Sequence, residues 1–219
     1  MAAANPLTYL EAIRGMLAKQ WPDNRTVNLV CHGHSVPAGY FATPFVNTFE
    51  AYPALLHRAI KERFPFAVLN VIVTAIGGEN SVQGAARFDS EVLNHRPDVL
   101  TIDYALNDRM VGLDAAEAAW RSMIERALAV GVKVILLTPT WEETYFDRSE
   151  GWEQLTAHAA QVRRLAAEYG VGLADSFAAF EGYLGAGGAL TDLLSHVNHP
   201  SGLGHRLVCR ELAAFFRAK

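Results

Sequence analysis

The sequence predicts an α/β protein, a three-layer α/β/α sandwich built on a five-stranded parallel sheet. Three observations carry that expectation. Short, nearly all-apolar runs bounded by turn residues suit strands that are covered on both faces. They alternate with amphipathic stretches of helical length, and short connections imply right-handed crossovers. Five such runs are too few to close an eight-stranded barrel.

The apolar runs are Val27–Cys31, Ala67–Thr74, Val99–Asp103, Val132–Thr138 and a shorter one at Val171–Ala174. Helical patterns lie between them at Phe49–Phe64, Ser81–His95, Asp114–Ala129 and Trp152–Tyr169, and a last one at Ser201–Arg217 closes the chain. Pro97-Asp98 and Gly131 mark helix-to-strand turns. No repeat, low-complexity stretch or linker intervenes, so residues 1–219 are expected to form one domain.

At 219 residues the chain is long enough for a full hydrophobic core, and 51% hydrophobic with 19% charged residues is a globular composition. The net charge of −4 and scattered basic residues argue against a phosphate-tracking face, hence against a nucleic-acid partner. The apolar runs are strand-length, too short for a membrane span. Met1-Ala2-Ala3-Ala4-Asn5-Pro6 has no basic-then-apolar leader, so a cytoplasmic location is expected. Cys31 and Cys209, the only cysteines, sit in apolar patterns and read as buried thiols rather than a disulfide.

In open parallel sheets, ligands bind beyond the C-terminal strand ends. Ser35 follows the first run, Gly78 the second, Asn107 the third and Thr138-Pro139-Thr140-Trp141 the fourth; His199 lies on the loop entering the last helix. A serine just after a tight glycine turn is often only a helix cap. It can also present its hydroxyl as a nucleophile, with its own N–H facing a developing oxyanion. A glycine lets backbone approach a reacting centre, an asparagine amide donates to an oxyanion, and a histidine serves as general base.

Gly33-His34-Ser35-Val36-Pro37-Ala38-Gly39, Ile76-Gly77-Gly78-Glu79-Asn80-Ser81, Ala105-Leu106-Asn107-Asp108 and His199-Pro200-Ser201-Gly202-Leu203-Gly204-His205 follow one another in the order of the four blocks of the GDSL, or SGNH, hydrolases. The chain resembles that family. The resemblance implies a flavodoxin-like SGNH fold and a serine ester hydrolase needing neither cofactor nor metal. Ser35 would be the nucleophile and His199 the base, with the Ser35 and Gly78 N–H groups and the Asn107 amide around the oxyanion. The Ala-Ile-Gly-Gly-Glu-Asn-Ser stretch looks closest to the carbohydrate-acetylesterase branch, so a small-molecule or saccharide ester is the expected partner. His34, Tyr104 and Trp141 are expected to line its pocket, the last in a loop with Thr140, Tyr145 and Phe146.

Two positions depart from the family pattern. His34 stands where the first block has an acid, and His196 where an aspartate would orient His199. Losing that acid costs ~10⁴-fold in a serine protease. The orienting partner is therefore open: His196 itself, Asp192, Asp175 or Glu143, or a backbone carbonyl of the 191–197 loop in a Ser–His dyad. The departures also leave room for an impaired scaffold that binds carbohydrate or a protein partner, and for an acyltransferase. A rival chemistry is a metal-dependent hydrolase with ligands drawn from His32, His34, His196, His199 and His205.

Overall fold

The computed structural model describes residues 2–217. The chain opens with helices α1 (Pro6–Tyr9) and α2 (Glu11–Leu17), then enters β1 (Thr26–Gly33), which feeds a one-turn helix, α3 (Ser35–Ala38). Helix α4 (Tyr52–Arg63) leads to β2 (Val68–Val73), and α5 (Ser81–Ala86) with α6 (Phe88–Glu91) leads to β3 (Val99–Asp103). Helix α7 (Gly112–Ala129) connects to β4 (Lys133–Leu137), and α8 (Thr144–Asp147) with α9 (Glu150–Tyr169) connects to β5 (Gly172–Ala174). The chain ends with α10 (Ser176–Gly185), α11 (Leu190–Leu193), a hairpin of β6 (Leu194–His196) and β7 (His199–Pro200), and α12 (Gly202–Ala213).

The five main strands are parallel, in the order β2-β1-β3-β4-β5. Alternation along the strands divides the core in two. Val27, Leu29, Cys31, Val99, Ile135 and Leu137 pack on one face beneath residues of α4 and α12. Val30, Leu100, Ile102, Val134 and Leu136 pack on the other beneath residues of α7 and α9. Both faces are thus covered, which is why the strands read as unbroken apolar runs. Cys31 and Cys209 are buried free thiols. No helix among the described residues is long and apolar enough to cross a membrane.

The five strands fall where the apolar runs do, within one or two residues at their ends. The helical stretch 81–95 does not stay whole. It breaks at Arg87 (φ −103°, ψ 8°) into α5, α6 and a 3₁₀ turn at Leu93–His95. The Arg87 guanidinium is tied back to Glu79 and to the Thr74 carbonyl. Helices α1, α2 and α10 and the β6–β7 hairpin complete the architecture. The chain steps outward from β1 to β2 and then returns to β3, so the sheet's switch point lies between β1 and β3. A cleft opens there, beyond the strand ends.

Candidate active site

The β1–α3 turn is built so that a side chain sits at the very start of a helix. Gly33 is required by contact: a Cβ there would lie 2.4 Å from the Asp103 carbonyl oxygen and 2.8 Å from Pro37 Cγ. His34 caps α3, its Nδ1 accepting from the Val36 N–H at 3.1 Å. An imidazole nitrogen thereby does at position 34 what a side-chain oxygen does at most helix N-caps. Its other nitrogen, Nε2, lies 3.5 Å from Asp103 Oδ1, a near contact rather than a hydrogen bond. Burial lowers the His34 pKa to about 3 and raises that of Asp103 to about 7. His34 is therefore neutral and behind the serine, not in the cleft.

Ser35, at the first position of α3, meets His199 from the other end of the chain: Oγ to Nε2 is 3.1 Å. The remaining nitrogen of His199, Nδ1, is 2.7 Å from the Phe41 carbonyl oxygen. A carbonyl only accepts, so Nδ1 carries the proton and Nε2 is left to accept from the serine hydroxyl. The orienting group is thus a backbone carbonyl, on the loop after α3 rather than in 191–197. Phe41 is fixed by its own N–H to the Phe45 carbonyl, by the Tyr40–Val46 bridge, and by ring stacking on buried His205 at 5.1 Å. Burial lowers the His199 pKa, neighbouring His196 lowers it further, and the Phe41 bond opposes both.

The proposed acids lie elsewhere. Asp192 accepts from the Tyr183 hydroxyl and the Ala189 N–H, and Asp175 is paired with Arg163. Glu143 is exposed; its backbone N–H donates to the Val197 carbonyl. His196 is exposed on β6, opposite His199 in the hairpin register. It acts on His199 by charge, not as an acceptor for Nδ1, whose partner is Phe41. Contrary to the expectation from the motif, neither Asp192 nor His196 orients His199.

Across the cleft stand Gly78 and Asn107. Gly78 adopts φ +79°, a left-handed conformation that favours glycine. Among the described residues, neither the Ser35 nor the Gly78 N–H donates a hydrogen bond within the protein. Asn107 donates one amide hydrogen to the Glu79 carbonyl at 2.9 Å and keeps the other. The Glu79 carboxylate is itself clamped, by Arg87 Nε at 2.7 Å, by Arg87 Nη2 and by the Tyr104 hydroxyl at 2.7 Å. Next to Asn107, Asp108 receives the Ser81 N–H at 2.7 Å and Trp120 Nε1 at 2.6 Å, tying α5 to α7. The cleft of about 380 Å³ is lined by Ser35, Gly77, Gly78, Asn107 and His199, with Tyr40, Thr43 and Asn198 at its edge.

Tyr104 and Trp141 do not line it. Tyr104 is fully buried, its hydroxyl bonded to the Glu79 carboxylate at 2.7 Å and 3.1 Å from His32 Nε2. Trp141 lies 5% exposed in a separate aromatic hollow. The histidines considered as metal ligands are dispersed. His32 bonds Thr74, His34 bonds Val36 and His205 accepts from the Tyr52 N–H. Among the described residues, no group of three or more His, Cys, Asp or Glu is placed to hold a metal ion.

Phe41, Glu79 and Arg87 were not singled out by motif reasoning. A carbonyl has no signature in the sequence, since every residue carries one. Glu79 stands inside the Gly-Gly-Glu-Asn block, but its partner Arg87 lies eight residues on, at the end of α5, a spacing no motif marks.

The chain belongs to the GDSL-like lipase/acylhydrolase family, whose profile matches residues 31–207. Membership places it among ester hydrolases. Among solved structures, it is similar to Axe2, an acetylxylan esterase from Geobacillus stearothermophilus, with a TM-score of 0.78 at 21% identity over 93% of this chain and 98% of that one. It is also similar to LAE5, an alpha/beta hydrolase from the metagenome of Lake Arreo, Spain, with a TM-score of 0.76 at 22% identity over 92% and 98% of the two chains. At these identities the likeness is one of fold. A search of curated proteins by sequence returned no match.

Proposed function

We propose that the chain hydrolyses carboxylic esters through an acyl-enzyme on Ser35, with an acetylated saccharide as the substrate class. The observation that carries this reading is the unbroken relay from Phe41 O through His199 to Ser35 Oγ, facing two free N–H groups and the Asn107 amide. His199 Nε2 takes the hydroxyl proton as Oγ attacks the ester carbonyl. The oxyanion is met by the Ser35 and Gly78 N–H groups and the free Asn107 N–H. His199 then returns the proton to the departing alcohol. Water, deprotonated by the same nitrogen, attacks the acyl-enzyme, and its collapse releases the acid and the free serine.

The Phe41 carbonyl does part of what an aspartate would do. It fixes the tautomer and the ring orientation. Being a dipole rather than a full charge, it stabilises the transient imidazolium less. Burial and His196 lower the His199 pKa, and the Phe41 bond opposes them only in part, which favours the unprotonated base.

The test is intact mass after exposure to a fluorophosphonate, with the adduct mapped by peptide. One adduct on Ser35, absent in His199→Ala, is expected. A folded protein that takes no label would sink the acyl-enzyme reading. Release of acetate from acetylated xylo-oligosaccharides, set against short alkyl esters, tests the substrate class.

A further inference from the structure

The hollow that holds Trp141 belongs to none of the chemistry above. It lies on the same rim as Ser35, where Trp141 follows β4 and Phe177 opens α10 after β5, and has a volume of about 540 Å³. Its walls are the rings of Trp141, Tyr145, Trp152 and Phe177, packed with centroids 4.7 to 5.5 Å apart. Arg148, held at φ +54°, lays its guanidinium over Tyr145 at 4.1 Å and Trp152 at 4.8 Å. Among the described residues, neither the Arg148 side chain nor that of Glu181 across the hollow makes a hydrogen bond or ion pair. The Trp141 indole N–H is buried and has no acceptor.

We infer that this hollow is a binding site for a ring of an uncharged oligosaccharide. A pyranose has an apolar C–H face and an edge of hydroxyl groups. Aromatic walls suit the first, and the Arg148 guanidinium and the Glu181 carboxylate, neither engaged in a hydrogen bond, suit the second. An acyl chain would leave those polar groups desolvated and unmatched. A quaternary ammonium would be repelled by the Arg148 charge beside the rings, whereas a neutral sugar can pack against the guanidinium as well as the rings. The opposite charges of Arg148 and Glu181 favour a neutral ligand over an anion.

The position deepens the reading of Ser35 as attacking a saccharide ester, and in that respect rests on it. In the order β1-β3-β4-β5 the hollow lies two to three strand spacings from Ser35, roughly 10–15 Å. The Glu143 N–H to Val197 carbonyl bond, 3.0 Å, joins the hollow's loop to the turn that leads into His199. An oligosaccharide spans that distance; a monosaccharide ester does not. The hollow would therefore select for chain length, holding one ring while an ester further along the chain reaches the serine.

The experiment is calorimetric titration with unesterified xylohexaose and cellohexaose, alongside tryptophan fluorescence, for the wild type, Trp152→Ala and Glu181→Gln. The expected result is one-to-one binding of at least one hexaose, with a fluorescence change, weakened at least tenfold in both variants. Glu181→Gln keeps the shape of an exposed-rim residue, so it remains informative if Trp152→Ala does not fold. Binding of neither hexaose by the wild type, or full affinity in folded Glu181→Gln and Trp152→Ala, would overturn the inference. Hexaose binding by a protein that takes no fluorophosphonate label would leave the hollow standing and remove the Ser35 reading.

Discussion

The two flanks of the cleft are held by different physics. On the proposed oxyanion side, Asn107 is anchored to Glu79, and Glu79 to Arg87 and Tyr104, with Asp108 bridging α5 and Trp120 behind. Apart from the Asn107 bond to the Glu79 carbonyl, those are charge-assisted bonds to carboxylates that are largely withdrawn from water. On the base side, His199 is held by one neutral carbonyl, on a loop fixed by backbone bonds and by a phenyl ring on an imidazole. The contrast matches what each flank would do in the proposed reaction. An oxyanion hole works by donors that do not have to reorganise as charge develops. A base needs chiefly the right tautomer, which a carbonyl dictates as well as a carboxylate does. The acid missing from position 196 is thus replaced in geometry but not in charge.

Breaking the oxyanion flank should have the larger effect. Asn107→Ala is expected to lower kcat by ~10²–10³-fold with little change in KM, the range seen when one oxyanion donor is removed. An intact kcat, measured on a short-chain ester, would remove Asn107 from the site. Glu79→Ala should act through folding as well. It strands the Arg87 guanidinium, and breaking a buried pair by removing one partner costs ~3–5 kcal/mol. With Arg87 Nη2 still bonded to the Thr74 carbonyl and Nη1 to Glu91, the lower end of that range is expected in urea unfolding.

On the base flank the expected losses are smaller. Phe41→Ala keeps the carbonyl but removes the ring that stacks on His205, so the loop loosens. About a tenfold fall in kcat is expected, with the pH profile displaced and fluorophosphonate labelling slowed in proportion. A fall as large as that of Asn107→Ala would mean that the base side is the more demanding one. Burial and His196 both lower the His199 pKa, so kcat/KM should rise with pH on a limb below ~6.5. His196→Ala should move that limb upward. Asp192→Ala, whose partners are Tyr183 and Ala189, should leave turnover unchanged.

Stability should follow pH in a definite sense. Burial holds His32, His34 and His205 neutral, with pKa values lowered to about 4, 3 and 3. Below ~6.5 the unfolded chain binds protons that these groups refuse in the native state, so stability falls as pH falls. Asp103, raised by burial to about 7, opposes them, since between ~3.9 and 7 the native state keeps a proton that the unfolded chain releases. Three groups outweigh one, and the urea midpoint should decline from about pH 6 towards pH 4. A flat profile would mean that two of those imidazoles are charged in the folded protein, leaving the third balanced by Asp103.

The sequence by itself determined the layered fold. Strands covered on both faces must be apolar throughout, and helices on a sheet must be amphipathic, so periodicity alone locates them. It also determined which loops carry Ser35, Gly78, Asn107 and His199, because tight turns and an amide donor need particular residue types at particular strand ends. Only the tertiary structure decided what surrounds them. Position 34 looked like part of the pocket and is a cap beneath it. Tyr104, next to the Ala105-Leu106-Asn107 motif, points into the core, and Trp141 serves a different hollow. A local pattern gives a residue's place along the chain but not which side of a loop its side chain takes. The partner of His199 was hidden for a deeper reason: hydrogen-bonding carbonyls are common to every residue, and only folding brings that of Phe41 within 2.7 Å of a histidine 158 positions away.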